Sequence, residues 1–162
     1  METIKLIILI GTATAAGLTA GLFFAWSCSV MPGLAQVSDR VFIAAMQSMN
    51  RAIQNPLFFS CFFGAALLLP LSTYLFFDVA MVFELLIGAT SIYWVGVMGI
   101  TIWGNVPLNN SLDTFQMESA SEEEILKSRT DFESRWNKLN HIRTVASVAT
   151  FVLVITVVLL QN

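Results

Sequence analysis

Four stretches of this chain are almost free of charge. Residues 6–30 carry no charged side chain over 25 positions, and residues 57–77 carry none over 21. Residues 79–104 contain only Glu84 over 26 positions, and residues 144–160 add 17 positions with no charge. A helix needs about 20 apolar residues to cross the hydrocarbon core of a bilayer, so the pattern predicts four transmembrane helices. In the first run the apolar character continues past the small-residue site Ala13-Thr14-Ala15. It therefore reads as an anchor and not as a cleaved leader.

The intervening pieces also carry a helical signal. In "SDRVFIAAMQSMNRAIQNP", Phe42, Met46, Met49 and Ile53 recur at helical spacing behind Ser38 as a candidate N-cap. This predicts a short amphipathic helix lying on, or folded over, the membrane end of the bundle. In "SASEEEILKSRTDFESRWNKLN", Ser121 and Glu124 form a capping-box pattern, with acids in the first turn where the helix dipole favours them. That helix is expected to run into the fourth span as one rod. The fold class is an all-α integral membrane protein: a single four-helix bundle over residues 1–162, with an amphipathic helix between spans 1 and 2 and a helical extension leading into span 4.

Four spans put both termini on one face and both longer connections, about 31–56 and 105–143, on the other. Seven of the eight basic residues lie in those connections: Arg40, Arg51, Lys127, Arg129, Arg135, Lys138 and Arg143. The positive-inside rule makes that face cytoplasmic and both termini non-cytoplasmic. The expected location is a bacterial inner (plasma) membrane, with the lipid bilayer itself as the first partner.

Composition agrees with this picture: 56% of the 162 residues are hydrophobic and 12% charged, against about 25% charged in soluble domains. A net charge of −3 gives no reason to expect a nucleic-acid partner. One histidine and two cysteines, without a CxxC, cannot build a multi-histidine or thiolate metal centre from a single chain, so no metal ligands are assigned. Cys28 and Cys61 are expected as buried free thiols.

Small residues recur every fourth position in the first span, at Ala13, Gly17, Gly21 and Ala25, and Gly88, Gly96 and Gly104 line the third. Such stripes let helices approach closely in lipid. They pack against each other or form a homo-oligomer interface. Pro70 should kink the second span and free a carbonyl near Ser72 and Thr73. Glu84 lies about one turn inside the third span, where snorkelling or pairing with Lys5 is the structural reading.

The remaining polar residues converge on the loop face. Trp26, Ser27, Cys28 and Ser29 end the first span, Gln47, Asn50, Gln54 and Asn55 follow, and Asn105, Asn109 and Asn110 close the third. Trp136, Asn140, Arg143, Ser147 and Thr150 form one stripe of the fourth helix, with His141 and Thr144 beside it. Amides and a guanidinium next to tryptophans suit a pocket for a planar, oxygen-bearing, hydrophobic small molecule. Belt tryptophans, asparagine caps and a positive-inside anchor account for the same residues without one. As a pocket, the binding residues would be Trp26, Gln47, Asn50, Asn105, Asn109, Trp136 and Asn140.

The first span ending at Pro32, "MQSMN" followed by Pro56, "GNVPLNN" and "RWNKLNHIRT" together resemble the anthrone oxygenase-like membrane proteins, long labelled a domain of unknown function. The resemblance covers about residues 5–160. Its most specific part is Asn105, Pro107 and Asn109 with Trp136 and Arg143. It implies oxidation of anthrone-type ketones by molecular oxygen, with His141 as general base and Arg143, Asn105 and Asn109 on the developing oxyanion. Family members often carry histidine where this chain has Asn140. The sequence requires no cofactor and leaves its identity open; the alternative use of His141 is as the axial ligand of a haem, which needs only one good donor per chain. The expectation is a membrane-embedded, oxygenase-like oxidoreductase acting on a hydrophobic aromatic or quinone-like molecule. The alternative is a non-enzymatic membrane module, either a small-molecule binder or an oligomeric partner subunit.

Overall fold

The structure, a computed structural model, describes residues 2–161 and is all helical among the described residues. Helix α1 spans Thr3–Leu34, α2 Asp39–Ala52, α3 Pro56–Leu75, α4 Ala80–Asp113 and α5 Glu122–Leu159. All but α2 are long and apolar enough to cross a membrane. This is an all-α membrane protein, and α1, α4 and α5 each run well beyond the apolar stretch that marks them in the sequence. In α5 that stretch is only residues 144–160; the helix is 38 residues long, or about 57 Å at 1.5 Å per residue, so its first half projects from the bilayer.

The four long helices close into a ring: α1 packs on α3 and α5, and α4 packs on the same two. Inside the ring lie Leu9, Phe62, Leu69, Leu86, Tyr93 and Val154, all buried. A second core sits beyond the loop-side end, where Phe42, Ile43 and Met46 of α2 pack on Leu112, Ile125, Phe132 and Trp136. The amphipathic helix is thus folded over the bundle. Arg129 fastens it there: its guanidinium lies 4.6 Å from the Phe42 ring centre and donates to the Val37 carbonyl at 2.8 Å, to Asp39 at 2.7 Å and to Glu133 at 3.0 Å. Ser38 is the N-cap of α2 but makes no side-chain capping bond. The capping box of α5 is formed, and the Ser121 N–H and O–H groups hold the Glu124 carboxyl below its usual range.

The glycine stripes pack on α5 and not on each other. A Cβ at Gly17 would meet Phe151 at 2.9 Å, one at Gly96 would meet the Ala146 Cβ at 2.7 Å, and one at Gly104 would meet Leu139 at 2.9 Å. Gly21 has nothing within 4 Å, and Ala25 is exposed.

Three segments widen into π-helix: Trp26–Val30, Tyr93–Gly99 and Thr101–Asn105. Two of them end just before a proline. The Met31 N–H reaches back to the Trp26 carbonyl ahead of Pro32, and the Val106 N–H reaches back to Thr101 ahead of Pro107. A proline has no N–H for the carbonyl four residues back, and widening the preceding turn lets the helix absorb that loss. So α4 does not stop at Gly104. It continues through Pro107 to Asp113, and Asn105, Asn109 and Asn110 lie on an unbroken rod.

Two local expectations are corrected, and that for Glu84 is narrowed. The carbonyl freed by Pro70 is that of Ala66, four residues back, and the Trp94 indole N–H takes it at 3.1 Å. Ser72 and Thr73 instead bridge helices, to Thr12 at 2.8 Å and Thr90 at 2.9 Å. Lys5 pairs with Asp78 at 3.6 Å, while Glu84 is exposed. The two thiols are free, but Cys28 is exposed and Cys61 only half-buried, because both lie on outward faces where lipid supplies the apolar surroundings.

Candidate functional site

A cavity of about 330 Å³ opens inside the loop-side half of the bundle, within the ~300–1,000 Å³ range of small-molecule pockets. Every helix contributes to it. Phe23 and Trp26 come from α1, Asn50 from the last turn of α2, and Phe58, Phe59, Phe62 and Phe63 from α3. The widened turn of α4 supplies Thr101 and Asn105, with Asn109 one turn on, and α5 supplies Trp136 and Arg143. Helix α3 forms the aromatic wall, with Phe58 stacked on Phe62 at 5.2 Å and Phe59 on Phe63 at 5.6 Å.

Among the described residues, Arg143 is the only charged side chain lining the cavity. It is 6% exposed, and its guanidinium lies 4.4 Å from the Phe23 ring centre and 5.5 Å from that of Trp136. Its Nη2 donates to Asn140 Oδ1 at 2.8 Å and its Nη1 to Thr101 Oγ1 at 3.4 Å. Among the described residues no carboxylate forms an ion pair with it. A buried cation held only by neutral dipoles and ring faces is costly until an anion joins it.

The unsatisfied polar atoms point the same way. The buried side-chain atoms without a hydrogen-bond partner are Asn50 Nδ2, Asn105 Nδ2 and Oδ1, Arg143 Nε and Asn137 Oδ1. All but the last belong to residues lining this cavity. Each such group costs about 1–3 kcal/mol if left unmatched. Orphans gathered at one cavity mark a place where polar atoms of a ligand or water are expected.

Two further contacts hold the frame. Asn140 Nδ2 donates to Ser27 Oγ at 2.9 Å, which fixes the amide that orients Arg143. Trp136 Nε1 donates to Asn109 Oδ1 at 2.8 Å, and its ring packs on Trp26 at 5.3 Å.

Of the residues singled out in the sequence, Trp26, Asn50, Asn105, Asn109, Trp136 and Arg143 come together on the cavity. Asn140 stands behind it as a positioning residue. Gln47 does not reach it: its amide donates to the Leu112 and Phe115 carbonyls, at 2.8 and 3.0 Å, and ties α2 to the end of α4. His141 lies on the exposed face of α5, with Nδ1 2.7 Å from the Asn137 carbonyl. It faces away from the cavity, so neither a base nor an axial haem ligand at that position would address it. Sequence reasoning passed over the aromatic wall of α3. Its signal was present as two phenylalanine pairs four residues apart.

Fold and site together define a class: a four-span membrane protein that encloses an aromatic-walled cavity around one buried, unpaired cation. The family model for anthrone oxygenase matches residues 56–153, well over half of the chain, and the chain belongs to that family. The matched segment carries Asn105, Asn109, Trp136 and Arg143, while Phe23, Trp26 and Asn50 come from outside it. Comparison with curated proteins and with solved structures gives no match. Family membership supports an oxygenase-like function at the coarse level.

Proposed function

We propose that the protein is a membrane-embedded oxygenase that holds the anion of a hydrophobic aromatic ketone or phenol against Arg143 and lets it react with molecular oxygen. The observation that carries this reading is the buried guanidinium without a carboxylate, facing a cavity walled by phenylalanine and tryptophan. A flat aromatic body fits between the ring walls. Its oxyanion would replace the missing counter-charge, with Asn105 donating through the Nδ2 that now has no partner.

The chemistry balances without an outside reductant. An anthrone-like ketone loses a proton from the CH2 between its rings to give an oxygen-stabilised anion. That anion passes one electron to O2, and carbon–oxygen bond formation gives a peroxide at the same carbon. The peroxide takes up a proton and loses water, leaving a carbonyl. One oxygen atom stays in the quinone, and the other leaves as water with both CH2 hydrogens. Among the described residues no carboxylate or imidazole lines the cavity, so the contribution of this chain is electrostatic. Arg143 lowers the substrate's own pKa and stabilises the anion once formed. His141 has no part in this reading. The seven basic residues of the loop end favour a cytoplasmic placement of that end.

Oxygen uptake by the protein in lipid nanodiscs with anthrone, compared with an Arg143→Met protein, tests the proposal. The expectation is one O2 consumed per quinone formed, at a rate at least about tenfold above the variant, the size of one lost charge-stabilising contact. Equal rates would overturn it. The absence of an acid–base side chain from the cavity wall favours one second reading, a binder of the same anion without turnover. Saturable binding without oxygen uptake would select it.

A further inference from the structure

We propose that the ligand of this cavity enters sideways from the bilayer, through a slit between α3 and α4 whose lips are Phe59 and Phe63 on one side and Ile102 and Val106 on the other. This rests on the cavity being the binding site described above. All four residues line the cavity and yet are 38%, 46%, 49% and 40% exposed, respectively. They are therefore both inner wall and outer surface.

Helix packing explains why the opening lies there. Helix α3 meets α4 mainly along Ala80–Ile92, at the far end of the bundle, so toward the cavity the two helices part. Elsewhere the wall is fastened. Trp136 is bonded to Asn109 and packed on Trp26, and α2 is pinned over the end by Gln47 and Arg129.

Depth decides which solvent the slit faces. Phe59 and Phe63 are three and seven residues past Pro56, about 4.5 and 10 Å along the helix at 1.5 Å per residue. The lips thus descend from the head-group level into the acyl chains, and all four are apolar. At the upper end of the slit, Gln54 and Asn110 are exposed and polar. An aromatic molecule with an oxygen-bearing edge lies in a bilayer with that same polarity gradient, so it matches the slit end to end. The occupant is accordingly a membrane-dissolved amphiphilic aromatic, and its polar edge reaches Asn105 and Arg143 as it slides in.

Binding kinetics in nanodiscs separate a doorway from a contact surface. The probe is 1,8-dihydroxyanthraquinone, followed by quenching of tryptophan fluorescence. Widening the lips with Val106→Ala should raise the association and dissociation rates together, and narrowing them with Ile102→Trp should lower both. The expected shifts are about threefold or more, with Kd held within about twofold, because a changed doorway alters passage in both directions equally. Val152→Trp, on an exposed face of α5 that does not line the cavity, should leave both rates as they are. Rates unchanged by both lip variants but slowed by Gln54→Trp would overturn lateral entry in favour of entry from water. A change in Kd through dissociation alone would make the lips part of the bound state and overturn the doorway. If the unaltered protein does not bind the probe, the reading of the cavity itself fails, and the slit with it.

Discussion

The guanidinium of Arg143 lies 4.4 Å from the centre of the Phe23 ring, buried and without a carboxylate partner. In the ligand-free protein this arrangement opposes stability, because a desolvated cation is offset only by dipoles and a ring face. Arg143→Met should therefore leave the thermal midpoint in nanodiscs no lower than that of the unaltered protein. It should weaken binding of an anionic anthraquinone at least about tenfold, or roughly 1.4 kcal/mol. Thermal unfolding and fluorescence titration of the same samples check both halves. A lowered midpoint with binding intact would make Arg143 a structural residue.

Pro70 and Trp94 form a second testable pair, since the indole satisfies the Ala66 carbonyl that the proline cannot. Trp94→Phe strands that carbonyl in a region without water and should cost about 1–3 kcal/mol. Pro70→Ala restores a backbone N–H for the same oxygen. In that background Trp94→Phe should cost less than half as much, so a double-mutant cycle on unfolding free energy should show clear coupling. Additive losses would mean that the two residues act separately.

Gly96 and Gly21 should respond in opposite ways to the same change. A methyl group at Gly96 would meet Ala146 Cβ at 2.7 Å, whereas one at Gly21 meets nothing. Gly96→Ala is expected to destabilise by about 1–3 kcal/mol through overpacking of α4 on α5. Gly21→Ala should be neutral or stabilising by up to about 1 kcal/mol. If Gly21 and Ala25 instead form an interface between copies of the chain, Gly21→Leu will reduce the particle mass measured by light scattering.

The cap of α5 should show a pH signature. The Glu124 carboxyl is held below its ordinary value by the Ser121 N–H and O–H groups. Because the folded value is depressed, its contribution is complete above the ordinary value and is lost as pH falls through the folded one. Protection of the first turn of α5 against hydrogen exchange, taken relative to the intrinsic rate at each pH, should therefore fall on acidification below the usual carboxylate range. Ser121→Ala should remove most of this dependence. An unchanged profile in that variant would assign the effect to other carboxylates.

Much of the architecture was legible because a bilayer imposes one strong rule. Each span must satisfy its backbone internally over some 30 Å of hydrocarbon, so four uncharged runs announce four helices. Regular periodicity also served well in α5, where Trp136, Asn140 and Arg143 keep the spacing of an undistorted helix and do face inward. His141 illustrates the same rule from the other side: one residue along the helix turns it about 100° away, onto the exposed face.

Other features were not legible. In a membrane helix the outer face is as apolar as the inner, so no polarity contrast marks which side of α3 faces the interior. The spacing of Phe58, Phe59, Phe62 and Phe63 marks one face of the helix, but not the direction in which that face points. In α4 the wide turns before Pro107 reset the angular register, and the extension of the helix through "VPLNN" follows from backbone bonds that no residue pattern spells out. The sequence by itself determined the number of spans, the capped rod of α5 and the gathering of amides at the loop end. Only the tertiary structure decided that Asn105 would be stranded without a partner and that Arg143 would rest on Phe23. It alone opened a slit between α3 and α4, because those outcomes depend on where four helices stop touching.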